Sequence, residues 1–497
     1  MKRGVVAITA VMVCLSACGS TVGVSSVAGS AAPGLSSDLG IASGSTDTAS
    51  GQGTSTSPPA AATVSEGSAH GATTSGADAN GDASGAPGHF GPSGSSAVGK
   101  LPAKSKGVTD AVIRIGFLYL ASAGTVVGAF GVQGYSQGNE LGEMTALVND
   151  QNAHGGLGGR KLQLVPHDLG GISDSNFQAA CDFFTQDNPV YIVTSALAHS
   201  DVLNTCLAKR GVGYSSNYLA PFNRSMRSVG PVFAPDDLSG ERLSVLGTQA
   251  MIDSGLFPKD AKVGIIRQDT PDWDRASKNI IRPRLAAAGI KVVAEETYSA
   301  TDASATVSGA AGVTFRLRGA GVTHVLILDS PLFYMTAAQS QGWHPFWEIT
   351  SRAGGGAFLA GSAPKEQLAN SGGPGWQRVS DLAEAQSGGY LNAEEKRCLT
   401  TLAKAGYSYT GTPKYVAEML CGELYHLVRV VGRSTELSMH AFQLAAENLP
   451  AYLSPMTFSL SFTGGRHDGA NGYRIVQYLK SCSCYQYTTP VRTIPSS

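Results

Sequence analysis

The first strongly patterned stretch of the chain combines a strand, a helix and a second strand. Residues 112–120 form a nearly continuous apolar run with several β-branched side chains, typical of a strand buried on both faces of a parallel sheet. A helix is predicted next, because apolar residues recur at spacings of three and four, at Leu141, Met144 and Val148. A glycine-rich turn at residues 155–160 leads into the apolar alternation of residues 161–168. The stretch therefore predicts a βαβ unit.

The same pattern recurs along the chain. Further strands are predicted at residues 190–194, 213–216, 262–268 and 323–328, and helical patterns lie between them. Roughly 390 residues follow the first 107, which is enough for two α/β lobes. We therefore expect an α/β fold with two doubly wound parallel-sheet lobes.

The N-terminus has the pattern of a bacterial lipoprotein signal. Lys2 and Arg3 precede an apolar run at residues 5–13, which is too short to span a bilayer and is typical of a secretory signal. Residues 15–18, Leu-Ser-Ala-Cys, resemble the lipobox, in which the cysteine receives the lipid. We predict that residues 1–18 are the signal and that Cys18 anchors an exported protein on the outer face of the cell membrane. An ordinary signal peptide with an incidental cysteine is the alternative.

Residues 19–107 are dominated by Ser, Gly, Ala and Thr. Such a segment buries too little apolar surface to offset chain entropy, so it is predicted to be a disordered linker. A flexible coil of about 90 residues would hold the folded part on the order of 50 Å from the lipid. The linker is either a stalk across a cell-wall layer or neutral low-complexity sequence.

The charge balance of the chain and its lack of several catalytic motifs limit the ligands and functions to be expected. With 36 Lys and Arg against 37 Asp and Glu, the chain has no basic excess for nucleic acid, and small solutes are the expected ligands. The sequence contains no zinc-protease, P-loop or Gly-x-Ser-x-Gly motif, and residues 156–161 lack the last glycine of the dinucleotide fingerprint. We expect neither catalysis nor a cofactor nor a metal site. A hydrolase or transferase on the same lobes is the competing class.

Several of these features together resemble the type I periplasmic binding proteins, in the leucine/isoleucine/valine-binding branch that serves ABC importers. The chain matches the branch with Ile-Arg-Ile-Gly at residues 113–116, an Asn-rich helix end at 149–152, a Gly-Gly-Leu-Gly-Gly-Arg-Lys turn at 155–161, and Asp168. A closing hairpin at residues 464–478 is similar as well.

The resemblance implies two lobes joined by three chain crossings that hinge around a solute. The first lobe would comprise residues 108–234 and 350–455, and the second residues 235–349 and 456–497. The implied partners are a small solute and the permease subunits of an ABC importer, and the protein would be a monomer. A sensor that signals to a membrane receptor would use the same cleft.

Six cysteines remain after Cys14 and Cys18, and an even number in an exported protein favours disulfides. The family branch often has a disulfide where Cys181 and Cys206 lie, in consecutive helical stretches. Cys398 and Cys421, also in neighbouring predicted helices, are the natural second pair. Cys482 and Cys484 are left open between a structural disulfide and another fate, because a Cys-X-Cys ring is strained.

In the first lobe, the resemblance implies that two strand ends bind a ligand carboxylate through hydroxyl and backbone N–H groups. The local candidates are Ser195, His199, Ser200, Ser216 and Asn217. Residues 194–200 depart from the family's Gly-Pro-x-x-Ser pattern. The resemblance therefore implies the position of the carboxylate-binding loop more strongly than the groups that bind the carboxylate. For His199, a solvent-facing position at a helix start is the alternative.

In the second lobe, Trp273 takes the place of the family's aromatic lid, which could add a cation–π contribution of ~1–2 kcal/mol to a bound ammonium group. Asp329 follows a strand and is the candidate to pair with that ammonium. Packing within the lobe is the alternative for Trp273, and helix capping is the alternative for Asp329. Amino acids are the family's usual solutes, but an amide, a short peptide or another carboxylate stays open.

Overall fold

The structure is a computed structural model that describes residues 100–124, 136–197, 199–299, 303–352, 355–383, 386, 391–409 and 412–496. The predicted signal, Cys18 and residues 19–99 of the predicted linker lie outside the described residues. Leu101 is buried, and the backbone of Pro102 and Lys104 pairs with Leu437. The folded part therefore includes residue 101, which lies before the predicted linker boundary at residue 107.

The first lobe is built on a parallel five-stranded sheet with the order β2-β1-β3-β4-β5. The strands are β1 (Val112–Tyr119), β2 (Lys161–Asp168), β3 (Ile192–Ser195), β4 (Gly213–Ser216) and β5 (Val232–Phe233). The helices between them are α1 (Glu140–Ala153), α2 (Asp174–Asp182), which continues into a π-helical turn (Phe183–Asp187), α3 (Asp201–Lys209) and α4 (Asn223–Val229).

Strand β1 is apolar except at Arg114 because it separates two cores. Ile115 and Phe117 pack in the core that contains Met144 of α1. Leu118 belongs to the opposite core, with Phe184 and the α2 and α3 helices. Both faces of the strand are therefore covered by helices, as the continuous apolar run predicted.

The chain next forms most of the second lobe. Its strands are β6 (Lys262–Gln268), β7 (Lys291–Tyr298), β8 (His324–Ile327), β9 (Phe346–Glu348) and β10 (Ser371–Gly375). Its helices are α5 (Gly240–Asp253), α6 (Pro271–Ala276), α7 (Arg282–Ala287), α8 (Ala303–Gly319), α9 (Leu332–Ser340), α10 (Gly355–Ser362), α11 (Lys365–Leu368) and α12 (Arg378–Asp381). A π-helical turn (Ser277–Ile281) joins α6 to α7.

Three helices then return to the first lobe: α13 (Ala393–Lys404), α14 (Thr412–Val431) and α15 (Met439–Glu447). The chain ends in the second lobe with β11 (Gly472–Leu479), β12 (Cys484–Tyr487) and β13 (Arg492–Thr493). The second sheet has the order β12-β11-β10-β9-β8-β6-β7, with β13 paired to β11. The β10–β11 and β11–β12 pairs are antiparallel, whereas the pairs from β10 to β7 are parallel.

The two-lobed α/β fold predicted from the sequence is confirmed, and the chain passes between the lobes three times. The crossings lie between β5 and α5, between α12 and α13, and between α15 and β11. The boundary predicted at residue 350 is too early, because β10 at residues 371–375 pairs with β9 in the second sheet. Its sequence, Ser-Gly-Gly-Pro-Gly, has no strand-like pattern that would have shown this.

The described cysteines form three disulfides. Cys181 is bonded to Cys206, which links α2 to α3, and Cys398 is bonded to Cys421, which links α13 to α14. These are the two pairings given by the sequence. Cys482 is bonded to Cys484 in the turn between β11 and β12.

Asp236 is a buried residue of the first crossing that is hydrogen-bonded to residues near the other two crossings. It accepts hydrogen bonds from the hydroxyls of Ser454 and Thr457 on the third crossing, the latter at 3.0 Å, and its backbone carbonyl accepts from Nε2 of Gln377 at 2.9 Å. Burial raises the pKa of Asp236 to about 6, against the lowering effect of these hydrogen bonds. We call Asp236, Ser454, Thr457 and Gln377 the hinge cluster.

A buried ion pair lies beside the hinge cluster. Nη1 of Arg242, on α5, is 3.0 Å from Oδ2 of Asp468, and the side chains are 1% and 0% exposed. The same carboxylate oxygen accepts the backbone N–H of Ser239 at 2.8 Å. The pair therefore ties the first crossing to the third. Within the described ranges, no helix has both the length and the apolar character needed to cross a membrane.

Candidate functional site

The carboxyl ends of the parallel strands of both sheets meet at the interface between the lobes, the usual place for ligands in open α/β sheets. Three contacts join the lobes there. The rings of Phe222 and Trp273 meet edge to face at 5.1 Å, and Oγ of Ser225 donates to Asp272 at 3.2 Å. Nη1 of Arg352 donates to the carbonyl of Ala220 at 3.2 Å. We call this region the interlobe cleft.

The two serines at the strand ends of the first lobe are engaged within the chain. The Ser195 hydroxyl donates to the carbonyl of Leu118 at 3.0 Å and accepts the N–H of Leu197 at 2.9 Å. The Ser216 hydroxyl donates to the carbonyl of Leu197. Both residues are fully buried. Their hydroxyl protons therefore hold the loop after β3, and neither proton is free for a ligand carboxylate in this conformation.

His199 and Ser200 follow β3 and open α3. Nε2 of His199 lies 3.1 Å from the carbonyl of Ser216, which can only accept, so this nitrogen carries the proton and Nδ1 faces Nδ2 of Asn204 at 3.4 Å. Burial lowers the pKa of His199 to about 4, which keeps the ring neutral at pH 7. Ser200 caps α3 by accepting the N–H of Leu203 at 3.4 Å. His199 therefore faces β4 rather than bulk solvent.

Asn217 lies in the hinge rather than at the cleft surface. Its Nδ2 donates to Asp236 at 3.0 Å and to the carbonyl of Met419 at 3.4 Å, and its Oδ1 accepts the N–H of Asp236 at 2.7 Å. The side chain is fully buried. Asn217 thus connects β4 to the hinge cluster.

In the second lobe, the structure brings Trp273 and Asp329 to one small cavity, which Gln268 and Tyr298 also line. Oδ2 of Asp329 accepts from the Tyr298 hydroxyl at 2.6 Å and from Nε2 of Gln268 at 3.4 Å. Burial, and then the adjacent Asp329, raises the pKa of Tyr298, so its hydroxyl stays protonated and donates.

Asp329 does not cap the following helix. That helix, α9, has Pro331 at its N-cap and no side-chain cap, and the backbone N–H bonded to Asp329 is that of Ser330, at 2.8 Å. The Asp329 side chain is therefore directed to the cavity, with Tyr298 and Gln268 as its polar neighbours.

Trp273 is 7% exposed and packs at the boundary of the two lobes. Phe222 of the first lobe covers one edge of the ring, and the guanidinium carbon of Arg352 lies 5.9 Å from the ring centroid. Trp273 therefore lies where an aromatic lid was expected, and it also packs against neighbouring side chains of both lobes.

Arg352 is a cleft residue that sequence reasoning missed. It stands just beyond the carboxyl end of β9, where ligand-contacting residues occur in this kind of sheet. The side chain is 7% exposed, and its Nε–H has no hydrogen-bond partner among the residues that the structure describes. A strand pattern at residues 346–350 followed by an arginine was the available signal, and it was read as the recrossing point instead. Among the described residues, no His, Cys, Asp and Glu cluster could hold a metal ion.

Solved structures of similar fold are solute-binding proteins. A substrate-binding protein of an ABC transporter from Desulfitobacterium hafniense, in complex with Leu, is 14% identical, with a TM-score of 0.53 over 76% of this chain and 99% of that one. A solute-binding protein from Rhodopseudomonas palustris BisB5, in complex with 3,4-dihydroxybenzoic acid, is 11% identical, with a TM-score of 0.56 over 78% and 98%. At these identities the likeness concerns the fold.

A third similar structure is a solute-binding protein from Rhodopseudomonas palustris HaA2, in complex with p-hydroxybenzoic acid. It is 12% identical, with a TM-score of 0.56 over 78% of this chain and 98% of that one. No curated protein sequence matches the chain. A family model described as periplasmic binding protein matches residues 112–482, which spans both lobes and all three crossings. The chain therefore belongs to the periplasmic binding protein family, whose members lie outside the cytoplasm.

Proposed function

We propose that this protein captures a small polar solute, an amino acid or a related compound, between its lobes and delivers it to the permease subunits of an ABC importer. The observation that carries the proposal is that Trp273 and Asp329 line one cavity at strand ends of the second lobe. Phe222 of the first lobe closes against the same tryptophan. A solute that binds beside Trp273 and Asp329 and also meets Phe222 would stabilise closure of the lobes.

The proposal includes anchoring. Cys18 would hold the protein on the outer face of the membrane as a monomer, close to the importer, and the linker would set its reach. Support comes from the lipobox pattern at residues 15–18 and from the family, because binding proteins of this family work outside the cytoplasm.

A thermal-shift screen of the purified protein against amino acids, amides and carboxylates tests the function. A solute that binds only the native state raises the melting temperature by mass action, and the rise grows with solute concentration. Absence of any shift across the three classes would refute solute capture.

Residue-level tests use the solute found in that screen. Binding should change the fluorescence of Trp273, and Trp273→Phe should abolish the change, whereas Trp343→Phe, remote from the cavity, should preserve it. Asp329→Ala should weaken binding of an ammonium-bearing solute by ~2–5 kcal/mol and of a neutral solute much less. Unchanged affinity in both Trp273→Ala and Asp329→Ala, measured by calorimetry with the fold intact, would show that the solute binds elsewhere.

A further inference from the structure

Arg352 is a buried cation without a carboxylate partner. Its side chain forms no salt bridge with any described residue, and its one hydrogen bond to another lobe goes to a neutral acceptor, the carbonyl of Ala220. The Nε–H is buried and unpaired. Because a buried charge is costly unless it is paired, this arrangement is favourable only if an anion completes it.

The neighbouring carboxylate of Asp237 does not fill that role. Asp237 accepts the N–H of Ala220 at 2.7 Å, and Arg352 donates to the carbonyl of the same residue. The two side chains form no salt bridge with each other. Burial raises the pKa of Asp237, and the charge of Arg352 opposes the rise. The two side chains therefore interact through space, and the guanidinium keeps donors for another partner.

The polar side chains predicted to bind a carboxylate in the first lobe do not compete for an anion among the described residues. The hydroxyls of Ser195 and Ser216 donate to backbone carbonyls, and His199 is neutral at pH 7. Arg267, which lines the cavity beside Trp273, is paired with Asp274 and Glu295. Among the described residues at this part of the cleft, Arg352 is therefore the buried cation without a carboxylate partner. Asp237, whose pKa burial raises and the charge of Arg352 lowers, is an acidic neighbour, so the local charge suits a monoanion better than a dianion such as phosphate.

From this geometry we infer that Arg352 is the anion-binding residue of the interlobe cleft and that the solute is a small monocarboxylate. The guanidinium binds the carboxylate through charge-assisted hydrogen bonds, and the Trp273 ring, whose centroid is 5.9 Å from the guanidinium carbon, covers the apolar part of the solute. Because Arg352 also donates to Ala220, the bound carboxylate connects the second lobe to the first. The inference rests on the proposed function and names the class of solute.

The test compares acids with their neutral isosteres. Calorimetry with the full chain would use L-leucine against L-leucinamide and 4-hydroxybenzoate against 4-hydroxybenzamide, within a wider set of monocarboxylates and amides, and inorganic phosphate as the dianion. At least one acid should bind, and its amide should bind roughly 100-fold more weakly or not at all.

The affinity for the acid that binds is then measured in three variants. Arg352→Gln should weaken it roughly 100-fold, and Arg352→Lys should retain part of the affinity, because an ammonium keeps the charge but not the fork of donors. Arg316→Gln is the matched control, because Arg316 is 56% exposed and pairs with Glu296. The affinity of this variant for the acid should equal that of the natural protein. If Arg352→Gln does not fold, the acid and amide comparison in the natural protein decides alone.

The outcomes separate the inference from the proposed function. A solute bound equally by the natural protein and by Arg352→Gln, an amide bound as tightly as its acid, or preferred binding of phosphate would overturn the inference and leave solute capture standing. If no acid, amide or amine binds at all, solute capture fails together with the inference.

Discussion

The buried pair of Arg242 and Asp468 gives a quantitative prediction about the hinge. Asp468→Asn keeps the shape of the side chain and an oxygen that can accept the Ser239 N–H. It removes the only charge that contacts Arg242, whose Nε and Nη2 already have no partner among the described residues. The substitution therefore leaves a buried guanidinium without a counter-charge.

The expected cost is about 3 kcal/mol, at the lower end of the range for breaking a buried ion pair. The lower end applies because the Asp468 charge also repels the buried Asp237, and that repulsion disappears in the variant. Urea unfolding at pH 7, followed by circular dichroism and by tryptophan fluorescence, measures the loss. Two probes are needed because a two-lobed protein need not unfold in one step.

The paired replacement Arg242→Met with Asp468→Leu is the control. It removes both charges and fills a similar volume, so it should lose much less stability than Asp468→Asn alone. A loss below 1 kcal/mol for Asp468→Asn, or a larger loss for the paired replacement, would refute the reasoning that an unpaired buried charge dominates at this site.

Three further predictions concern the membrane anchor, pH and the disulfides. Cys18→Ala should release the protein from membranes or stall its processing, which fractionation measures. Burial raises the pKa of Glu348 to about 8. The folded protein therefore keeps the Glu348 proton between pH 4.5 and pH 8, whereas the unfolded chain loses it. The stability of the protein consequently falls as the pH rises from 4.5 to 8. Glu348→Gln should therefore be more stable than the natural protein at pH 8.5, by a few kcal/mol, and nearly equal to it at pH 4. Under limiting dithiothreitol, the Cys482–Cys484 disulfide should be reduced before the other two, because Cys482 is exposed.

Each of these has a clear contrary result. A Cys18→Ala protein that is still lipid-modified and membrane-bound would contradict the lipobox assignment. A stability difference between Glu348→Gln and the natural protein that is the same at pH 4 and pH 8.5 would exclude titration of that carboxyl. Mass spectrometry of non-reduced digests would contradict the disulfides if it found Cys181 and Cys206 as free thiols, or if the helical pairs were reduced first.

The fold was predictable because its strands carry their own signal. The predicted strand at residues 262–268 is β6, and the run at residues 112–120 contains β1, since strands buried on both faces are nearly continuous apolar runs. Strand β10 carries no such signal. A side chain at Gly373 would place its Cβ 2.1 Å from the carbonyl oxygen of Ile349, so close packing requires glycine where a strand pattern would require bulk.

The site was less predictable because a sequence does not show which polar groups are already used. Ser195 and Ser216 stand at the strand ends that the family resemblance indicated, yet their hydroxyls bond to carbonyls of their own lobe. Arg352 becomes a cleft residue only through its distances to Ala220, which lies 132 positions earlier and across the lobe boundary, and to Trp273 of its own lobe. Trp273 and Asp329 were accessible to sequence reasoning because each lies a few residues after the carboxyl end of a predicted strand.

The hinge cluster also determines how late in synthesis the first lobe can be completed. Asp236 receives its hydroxyl partners from residues 218 and 221 positions further along, and the core beside it needs α14. Until those segments leave the ribosome, burying Asp236 would leave a carboxyl without hydrogen bonds, which is unfavourable. The first half of the nascent chain can form the core beside α2 and α3 on its own, but the opposite face of its sheet has to wait for α14. Until the last part of the chain is made, the first lobe therefore keeps one apolar sheet face uncovered, and a chain in that state is incomplete and easier to unfold than the finished lobe.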